Sequence, residues 1–336
     1  MADKQKIAAF IHCFPPAQGG LEKLAGDTVK KWINEGKKLE VFTGFGRTLD
    51  SYKTFSDYVQ IYKDSANIHR LQHSFFWQRL ANKLFYPLVL KFSFLSPWYF
   101  GPILRYKEKD IEIIKKADLI FAFGLPTKMV WDAYQFAKRF NKPLHILPAF
   151  HDVSYYKNCL AFHLAFQYAE KIYTLSDFEE KAFIAAYPEV KEKVERFEYW
   201  PFSEKKMQDR PKILARLEKI REKRRQRNEI NIGFVGQITP RKNIKYFQEL
   251  LDNIKEYPAY KDKIVKVVLY GLRTNGSAEI EKQLNKGILE DKIEIFYDFK
   301  ENQKENVYGN IDVFINPSIE ESFGIVNLEA KYYGCK

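Results

Sequence analysis

The stretch PSIEESFGIVNLEA, Pro317–Ala330, decides the fold, because it links a buried run, IDVFINP, to an apolar helix through acids and a glycine. Glu321 and Glu329 are separated by seven residues. A helix that starts near Phe323 would place them up to roughly 12 Å apart along its axis. That exceeds the separation of about 5–9.5 Å between paired glycosidase carboxylates. The spacing suits two acids at opposite ends of one elongated ligand, and the helix N–H groups between them favour phosphate.

Short apolar runs alternate with amphipathic stretches along most of the chain, which predicts parallel βα units. The predicted strands are KIAAFIHCF, KKLEVFTGF, ADLIFAFG, KPLHILPAF and KIYTLS, then INIGFVG, KVVLYG, KIEIFYD and IDVFINP. We therefore predict an α/β protein with two tandem, doubly wound, Rossmann-like domains. Their strand C-termini should face a cleft, because ligands bind at those ends. The predicted segments are 1–202, a basic linker helix at 203–229, and 230–336.

Composition narrows the class of protein. A chain of 336 residues can bury two cores. Cys13, Cys159 and Cys335 lack the spacing of a metal site, so we expect reduced thiols in a cytoplasmic protein. No uncharged run reaches the roughly 20 residues of a spanning helix. The sequence also lacks an Asp-x-Asp metal motif.

The formal net charge of +12 is concentrated in one segment. Between Ser203 and Asn228, eleven Lys/Arg face four Asp/Glu. Such a surface can serve nucleic acid, an anionic membrane or an anionic substrate, or it can be a solvated interdomain helix. Because no nucleic-acid motif accompanies it, we predict no nucleic-acid partner.

Residues 48–106 do not follow the βα pattern. Between Ser65 and Lys107 there is no Asp or Glu, but there are six Lys/Arg and eleven aromatic residues. Two interpretations stay open: a segment that lies on a membrane surface, or a helical insertion that packs on the first core. Residues suited to an interface are Trp77, Trp98, Tyr99, Arg70, Arg79, Lys83 and Lys91.

Four segments carry a family resemblance: NPSIEESFGIVNLEAKYYG, supported by GFVGQITPRKN, FPPAQGGLE and AFHD. The chain resembles, from residue 6 onward except for 48–106, the retaining GT-B glycosyltransferases that use nucleotide sugars and carry a Glu–seven–Glu motif. The resemblance implies metal-independent hexosyl transfer from a UDP- or GDP-sugar, with no other cofactor, to a glycan, lipid-linked or protein acceptor. The family pattern continues after Gly334, so we expect an incomplete second domain.

The resemblance also implies roles for single residues. Glu321 would contact the donor sugar and support charge near its anomeric carbon, Glu329 would bind the ribose hydroxyls, and Lys242 would neutralise the diphosphate. His151 matches a histidine near the donor sugar. Further matched positions are the backbone of Phe323, Gly324, Ile325 and Val326 at sugar and phosphate, and Gly19 and Gly20 in the first loop. Gln237 replaces a family arginine, which leaves Arg241 and Arg273 as candidate phosphate contacts.

Each role has a structural alternative. Glu321 and its neighbour Glu320 could stabilise a helix dipole. His151 could be a structural histidine beside Asp152, and Lys242 a surface lysine. Further structural alternatives are a solvated Glu329, a tight turn at Gly19–Gly20, and packing of His12 and Cys13. Two other functions stay open: an enzyme that acts on the nucleotide sugar itself, and a non-catalytic binding module.

Overall fold

The chain forms two compact units, Met1–Tyr199 and Trp200–Lys336. The computed structural model describes residues 4–17, 19–48, 51–59, 67–89, 101–151, 159–272, 277–284, 292–297, 299–319, 321 and 323–336. The basic stretch 203–229, which was predicted to be a linker helix, lies within the second unit.

The first unit is built on a seven-stranded parallel sheet. Its strands are β1 Lys6–Phe10, β2 Lys38–Thr43, β3 Ile68–Arg70, β4 Leu119–Phe123, β5 Leu144–Leu147, β6 Lys171–Thr174 and β7 Val194–Arg196. They are arranged in the order β3-β2-β1-β4-β5-β6-β7, and every pairing is parallel. The order reverses between β1 and β4, and ligands of doubly wound sheets bind beyond the carboxyl ends of strands at such a point.

Seven helices are described in the first unit. They are α1 Gly20–Asn34, α2 Ser51–Thr54, α3 Phe75–Val89, α4 Glu108–Lys115, α5 Lys128–Phe140, α6 Leu160–Tyr168 and α7 Asp177–Ala186, followed by a 3₁₀ turn at Pro188–Lys193. In α5 the buried residues Met129, Val130, Ala133 and Ala137 recur at helical spacing. That apolar stripe explains why the segment forms a helix that covers the sheet.

The second unit repeats the same arrangement with four parallel strands. These are β8 Glu229–Gln237, β9 Ile264–Leu272, β10 Ile293–Tyr297 and β11 Val313–Phe314, in the order β10-β9-β8-β11. The order reverses between β8 and β11, where Val313 is paired with Ile232. The helices are α8 Glu204–Gln226, α9 Tyr246–Asn253, α10 Ser277–Leu284, α11 Lys304–Gly309 and α12 Ile325–Tyr332. Short 3₁₀ turns lie at Pro240–Lys242, Ile254–Glu256, Pro258–Tyr260 and Glu301–Gln303.

Two of the basic side chains of helix α8 are buried inside the second unit. Arg221 and Arg224 are 4% and 6% exposed. Arg224 forms a two-pronged contact with Asp312, with both distances 3.0 Å. The two guanidinium groups also donate to the backbone carbonyls of Tyr308, Gly309, Ile311 and Tyr333. These two arginines therefore stabilise the fold. Because their charges are buried, the helix has less positive charge available to bind a partner than the sequence indicates.

Strand β3 lies within residues 48–106, which were predicted not to follow the βα pattern. It pairs with β2, through Val41–Ile68 and Thr43–Arg70. At three half-buried residues it is too short to show strand alternation, which is why the pattern missed it. Of the interface residues named from sequence, Lys91, Trp98 and Tyr99 lie outside the described part. None of the helices described combines the length and apolarity that a bilayer crossing requires.

Candidate functional site

In the second unit, the loops after β8 and β11 meet beyond the strand ends. After β8 the chain turns through Pro240–Lys242, and the N–H of Ile319 in the other loop donates to the carbonyl of Arg241 at 3.0 Å. Because β8 and β11 flank the reversal of strand order, this junction lies where the fold places ligands. It brings together Lys242 and Glu321, which are 79 residues apart in sequence.

Lys242 and Glu321 form an ion pair, with 2.5 Å between Nζ and Oε2. Their side chains are 12% and 29% exposed, so the pair is partly shielded from solvent. Burial alone would raise the pKa of Glu321. The charge of Lys242 and hydrogen bonds from Lys242 and Asn316 outweigh burial, so this pKa lies below its ordinary value. Glu321 is therefore a carboxylate at neutral pH and can accept hydrogen bonds.

Gly324 shapes the turn between Glu321 and α12. It adopts φ +67°, and a Cβ there would lie 2.5 Å from Nδ2 of Asn327. The helix begins at Ile325, close to the start near Phe323 that the length estimate assumed. Asn327 accepts from Asn316 Nδ2 at 3.1 Å, which ties the helix start to the loop after β11.

The other residues matched around this turn are only partly enclosed. Phe323, Ile325 and Val326 are half-buried beside the buried Gly324. Gln237 ends β8 and is half-buried, whereas Arg241 is exposed. Glu320 and Arg273 lie outside the described residues.

Glu329 lies on the inner face of α12 and is 3% exposed. Lys304 Nζ lies 2.6 Å from its Oε1, and the Tyr308 hydroxyl donates to its Oε2 at 2.9 Å. Sequence reasoning missed both donors. The available signal was their spacing of four residues in KENVY, which puts them on one face of a helix.

The first unit has a corresponding junction after β1 and β4. Gly19 lies just before α1, and a Cβ on it would come within 2.0 Å of Oε2 of Glu22. Gly124 follows β4 with φ +83°, and a Cβ there would lie 2.3 Å from Cδ2 of Leu21. Gly19 is half-buried and Gly20 exposed at this junction. Gly124 is favoured by its positive φ, which disfavours a side chain, whereas a side chain at position 19 would meet only the flexible end of Glu22.

His151 follows β5 and is half-buried. Glu179 holds the backbone just before it, because Oε1 accepts from the N–H of Phe150 at 2.6 Å and Oε2 from the N–H of Leu175 at 2.7 Å. The carboxylate thereby joins the segments that follow β5 and β6. Asp152 lies outside the described residues.

His12, Cys13 and Glu22 place potential metal ligand atoms within 4.8 Å of one another. These atom types suit zinc. One observation opposes a metal site: His12 Nδ1 has no hydrogen-bond partner among the described residues. A ligating histidine normally donates its second N–H. We interpret the cluster as packing.

The fold defines the class of protein. The chain superposes on HepE of Anabaena in complex with UDP and glucose (TM-score 0.63, 18% identity, 98% of this chain and 79% of that one). It also matches sucrose-phosphate synthase of Thermosynechococcus elongatus (0.62, 15%, 99% and 80%) and an E. coli trehalose-6-phosphate structure bound with UDP-2-fluoro glucose (0.61, 13%, 98% and 82%). The protein has the Rossmann-like GT-B fold, which confirms the predicted fold class.

Part of the second unit also matches a sequence model of a protein family. Residues 216–336 match the family described as Glycosyl transferases group 1. Among curated proteins, none matches the chain. The family match and the fold together support a GT-B glycosyltransferase.

Proposed function

We propose that the protein transfers a hexosyl group from a nucleotide sugar to an acceptor, with retention of anomeric configuration and without a bound metal. The observation that carries the proposal is the Lys242–Glu321 pair, assembled where strand order reverses between β8 and β11. A UDP-sugar is the first donor to test, because the HepE structure contains UDP and glucose. A GDP-sugar is the alternative.

Lys242 is the proposed electrostatic contact for the diphosphate. An ammonium group can donate three hydrogen bonds, so its bond to Glu321 leaves capacity for diphosphate oxygens. Breaking the sugar–phosphate bond adds negative charge to the diphosphate, which a fixed cation stabilises. Gln237 supplies no charge where the resemblance expects arginine. Arg241, whose charge also acts on Glu321, is our candidate for the second cation.

Glu321 is the proposed contact for the donor sugar. Because its pKa is lowered, it is suited to accept hydrogen bonds and to stabilise positive charge at the anomeric carbon rather than to act as a general acid. We infer front-side attack by the acceptor, in which an oxygen of the departing diphosphate takes the acceptor proton. The contact of His151 with a donor sugar, which the resemblance implies, stays a prediction.

The test begins with a thermal-shift screen of UDP- and GDP-sugars. Binding at a hundred times the dissociation constant should add about 2.7 kcal/mol of stability. Nucleoside diphosphate release is then measured with and without an acceptor library, in parent, Lys242→Ala and the exposed control Lys245→Ala.

We expect acceptor-dependent release that Lys242→Ala abolishes and Lys245→Ala retains, with a product anomer that matches the donor by NMR. Release that needs no acceptor would instead indicate an enzyme acting on the nucleotide sugar itself. Binding without any turnover would indicate a non-catalytic module.

Helix α3 supports a membrane-proximal acceptor. Phe75, Phe76 and Trp77 are 50%, 67% and 56% exposed, and Arg79 and Lys83 on the same helix are exposed cations. Exposed aromatics beside cations suit the surface of an anionic bilayer. We therefore propose peripheral membrane association and a lipid-linked acceptor, while a cytoplasmic location stays a prediction.

Arg70 does not join this surface. It donates to the backbone carbonyls of Pro15 at 2.6 Å and Gly44 at 3.2 Å.

The membrane proposal is tested by co-sedimentation with anionic and neutral vesicles. We expect anionic-selective, salt-sensitive binding that Phe76→Ala with Trp77→Ala weakens and Phe178→Ala, an exposed aromatic on α7, does not. Well-folded protein that sediments with neither vesicle would favour a soluble acceptor.

A further inference from the structure

We propose that Lys304 and Tyr308 are positioning residues that hold the Glu329 carboxylate ready to accept hydrogen bonds from the two ribose hydroxyls of the nucleotide. The inference rests on the proposed function, because it assumes that the second unit binds a nucleotide sugar. It assigns a role to two residues on α11 that neither the sequence motif nor the family resemblance singles out.

The two donors to the carboxylate come from the same helix. Lys304 and Tyr308 lie one helical turn apart on α11, and each contacts a different oxygen of Glu329, at 2.6 Å and 2.9 Å. Glu301 holds Lys304 in turn, with 2.8 Å between Oε2 and Nζ. The carboxylate is thereby fixed in one orientation by donors that are themselves fixed.

The protonation states suit this arrangement. Burial would lower the pKa of Lys304, but Glu329 and Glu301 more than compensate, and the pKa lies above its ordinary value. Burial, followed by the charge of Glu329, raises the pKa of Tyr308 well above its ordinary value. Both groups therefore remain hydrogen-bond donors across the neutral range.

The remaining capacity of the carboxylate matches a ribose. A carboxylate has about four lone-pair sites, two on each oxygen. Lys304 and Tyr308 each occupy one, which leaves one acceptor site on each oxygen for a pair of neighbouring hydroxyl groups. The 2′- and 3′-hydroxyls of ribose are such a pair.

Fold stability alone is a weak reason for this network. Glu329, Lys304 and Tyr308 are 3%, 9% and 0% exposed, so two charges are removed from water. Apolar side chains of similar volume often stabilise such a position as well or better. A buried, oriented carboxylate is what selective recognition of hydroxyl groups needs, because an analogue without the hydroxyl leaves a desolvated acceptor unpaired.

The experiment is a double-mutant cycle between the protein and the ribose. Calorimetry measures binding of UDP and GDP and of their 2′-deoxy and 3′-deoxy analogues to the full chain. The variants are Tyr308→Phe and Lys304→Met. The matched control is Tyr332→Phe, because this buried tyrosine donates to the carbonyl of Lys206 and not to Glu329. Circular dichroism establishes that each variant is folded.

For the parent we expect loss of a ribose hydroxyl to weaken binding roughly tenfold to a hundredfold, the range for a hydrogen bond to a charged group. Tyr308→Phe should reduce this ratio to about threefold or less, while Tyr332→Phe keeps the parent ratio. In turnover, Tyr308→Phe should raise the donor KM and leave kcat within about twofold. Because Tyr308→Phe removes one oxygen, it keeps the test valid if Lys304→Met does not fold.

Either of two results would overturn the inference and leave the proposed donor site in place. If Tyr308→Phe weakens the ribose and deoxyribose forms by the same factor, the network only supports the fold. If the parent binds UDP or GDP with the same affinity as their deoxy analogues, Glu329 does not bind the ribose hydroxyls. The proposed donor site then stands without a role for Glu329. Failure of the parent to bind either diphosphate would remove the proposed function together with this inference.

Discussion

Glu179 should make the stability of the first unit depend on pH. The carboxylate is 1% exposed and accepts two backbone hydrogen bonds, from Phe150 and Leu175. Burial raises its pKa from 4.5 to about 7, because desolvation outweighs these hydrogen bonds and the charge of Arg196. The folded protein therefore binds the Glu179 proton more tightly than the unfolded chain.

The size of the effect follows from the pKa difference. A difference of about 2.5 corresponds to about 3 kcal/mol, at about 1.36 kcal/mol for each pKa unit. The sign follows from linkage: the contribution is fully present below about pH 4.5 and is lost as pH rises to about 7. Glu179→Gln removes the ionisation, so parent stability minus variant stability should fall by about 3 kcal/mol between pH 4.5 and 8.

The assay is urea unfolding of parent and Glu179→Gln, followed by circular dichroism at half-unit steps across this range. Glu180→Gln, on the same helix, controls for replacing a carboxylate there. Parallel stability curves for parent and Glu179→Gln would refute the reasoning, because they would show that burial does not disfavour the charged form. Since Phe150 precedes His151, turnover of Glu179→Gln also tests whether the hydrogen bonds that Glu179 accepts matter for activity.

Three further outcomes are expected in the second unit. Lys242→Ala should lower turnover at least a hundredfold, and Gln237→Arg should be neutral or activating, both measured by diphosphate release. If Lys242→Ala keeps near-parent turnover, the diphosphate is bound by other residues. Gly324→Ala should lower stability by about 1 kcal/mol or more, seen as a lower thermal midpoint, because φ +67° disfavours a side chain. Arg221→Lys should cost about 2 kcal/mol, because an ammonium cannot replace its several guanidinium–carbonyl contacts, whereas the exposed Arg225→Lys should be neutral in the same melt.

The sequence predicted the sheets where strands are buried on both faces. The run KIAAFIHCF predicted β1, whose residues Ile7 to Phe10 are at most 1% exposed. Strand β7, Val194–Arg196, was missed together with β3, because each is a three-residue edge strand without a continuous apolar run. Edge strands bury too little surface to impose such a run.

The candidate site was predictable as a set of positions but not as a set of contacts. The motif pointed to Lys242 and Glu321, yet their ion pair depends on β8 and β11 being neighbours in the sheet. The four-residue spacing places Lys304 and Tyr308 on one helical face, but the burial of Lys304 was not predictable, because the segment ENQKENVYG is polar and is typical of a solvated surface. Its burial arises from packing of α11 against α12, which no local pattern contains.

The contacts of α8 also set how much of the chain can stand alone. A fragment that starts at β8 would lose the arginine donors to four backbone carbonyls and the ion pair of Arg224 with Asp312. A protease that cuts between residues 198 and 203 should therefore release a folded piece that resists further digestion. A cut inside α8 should instead lead to rapid degradation of the whole second unit. The arginines of this helix, more than the first strand of the sheet, fix where an independent folding unit has to begin.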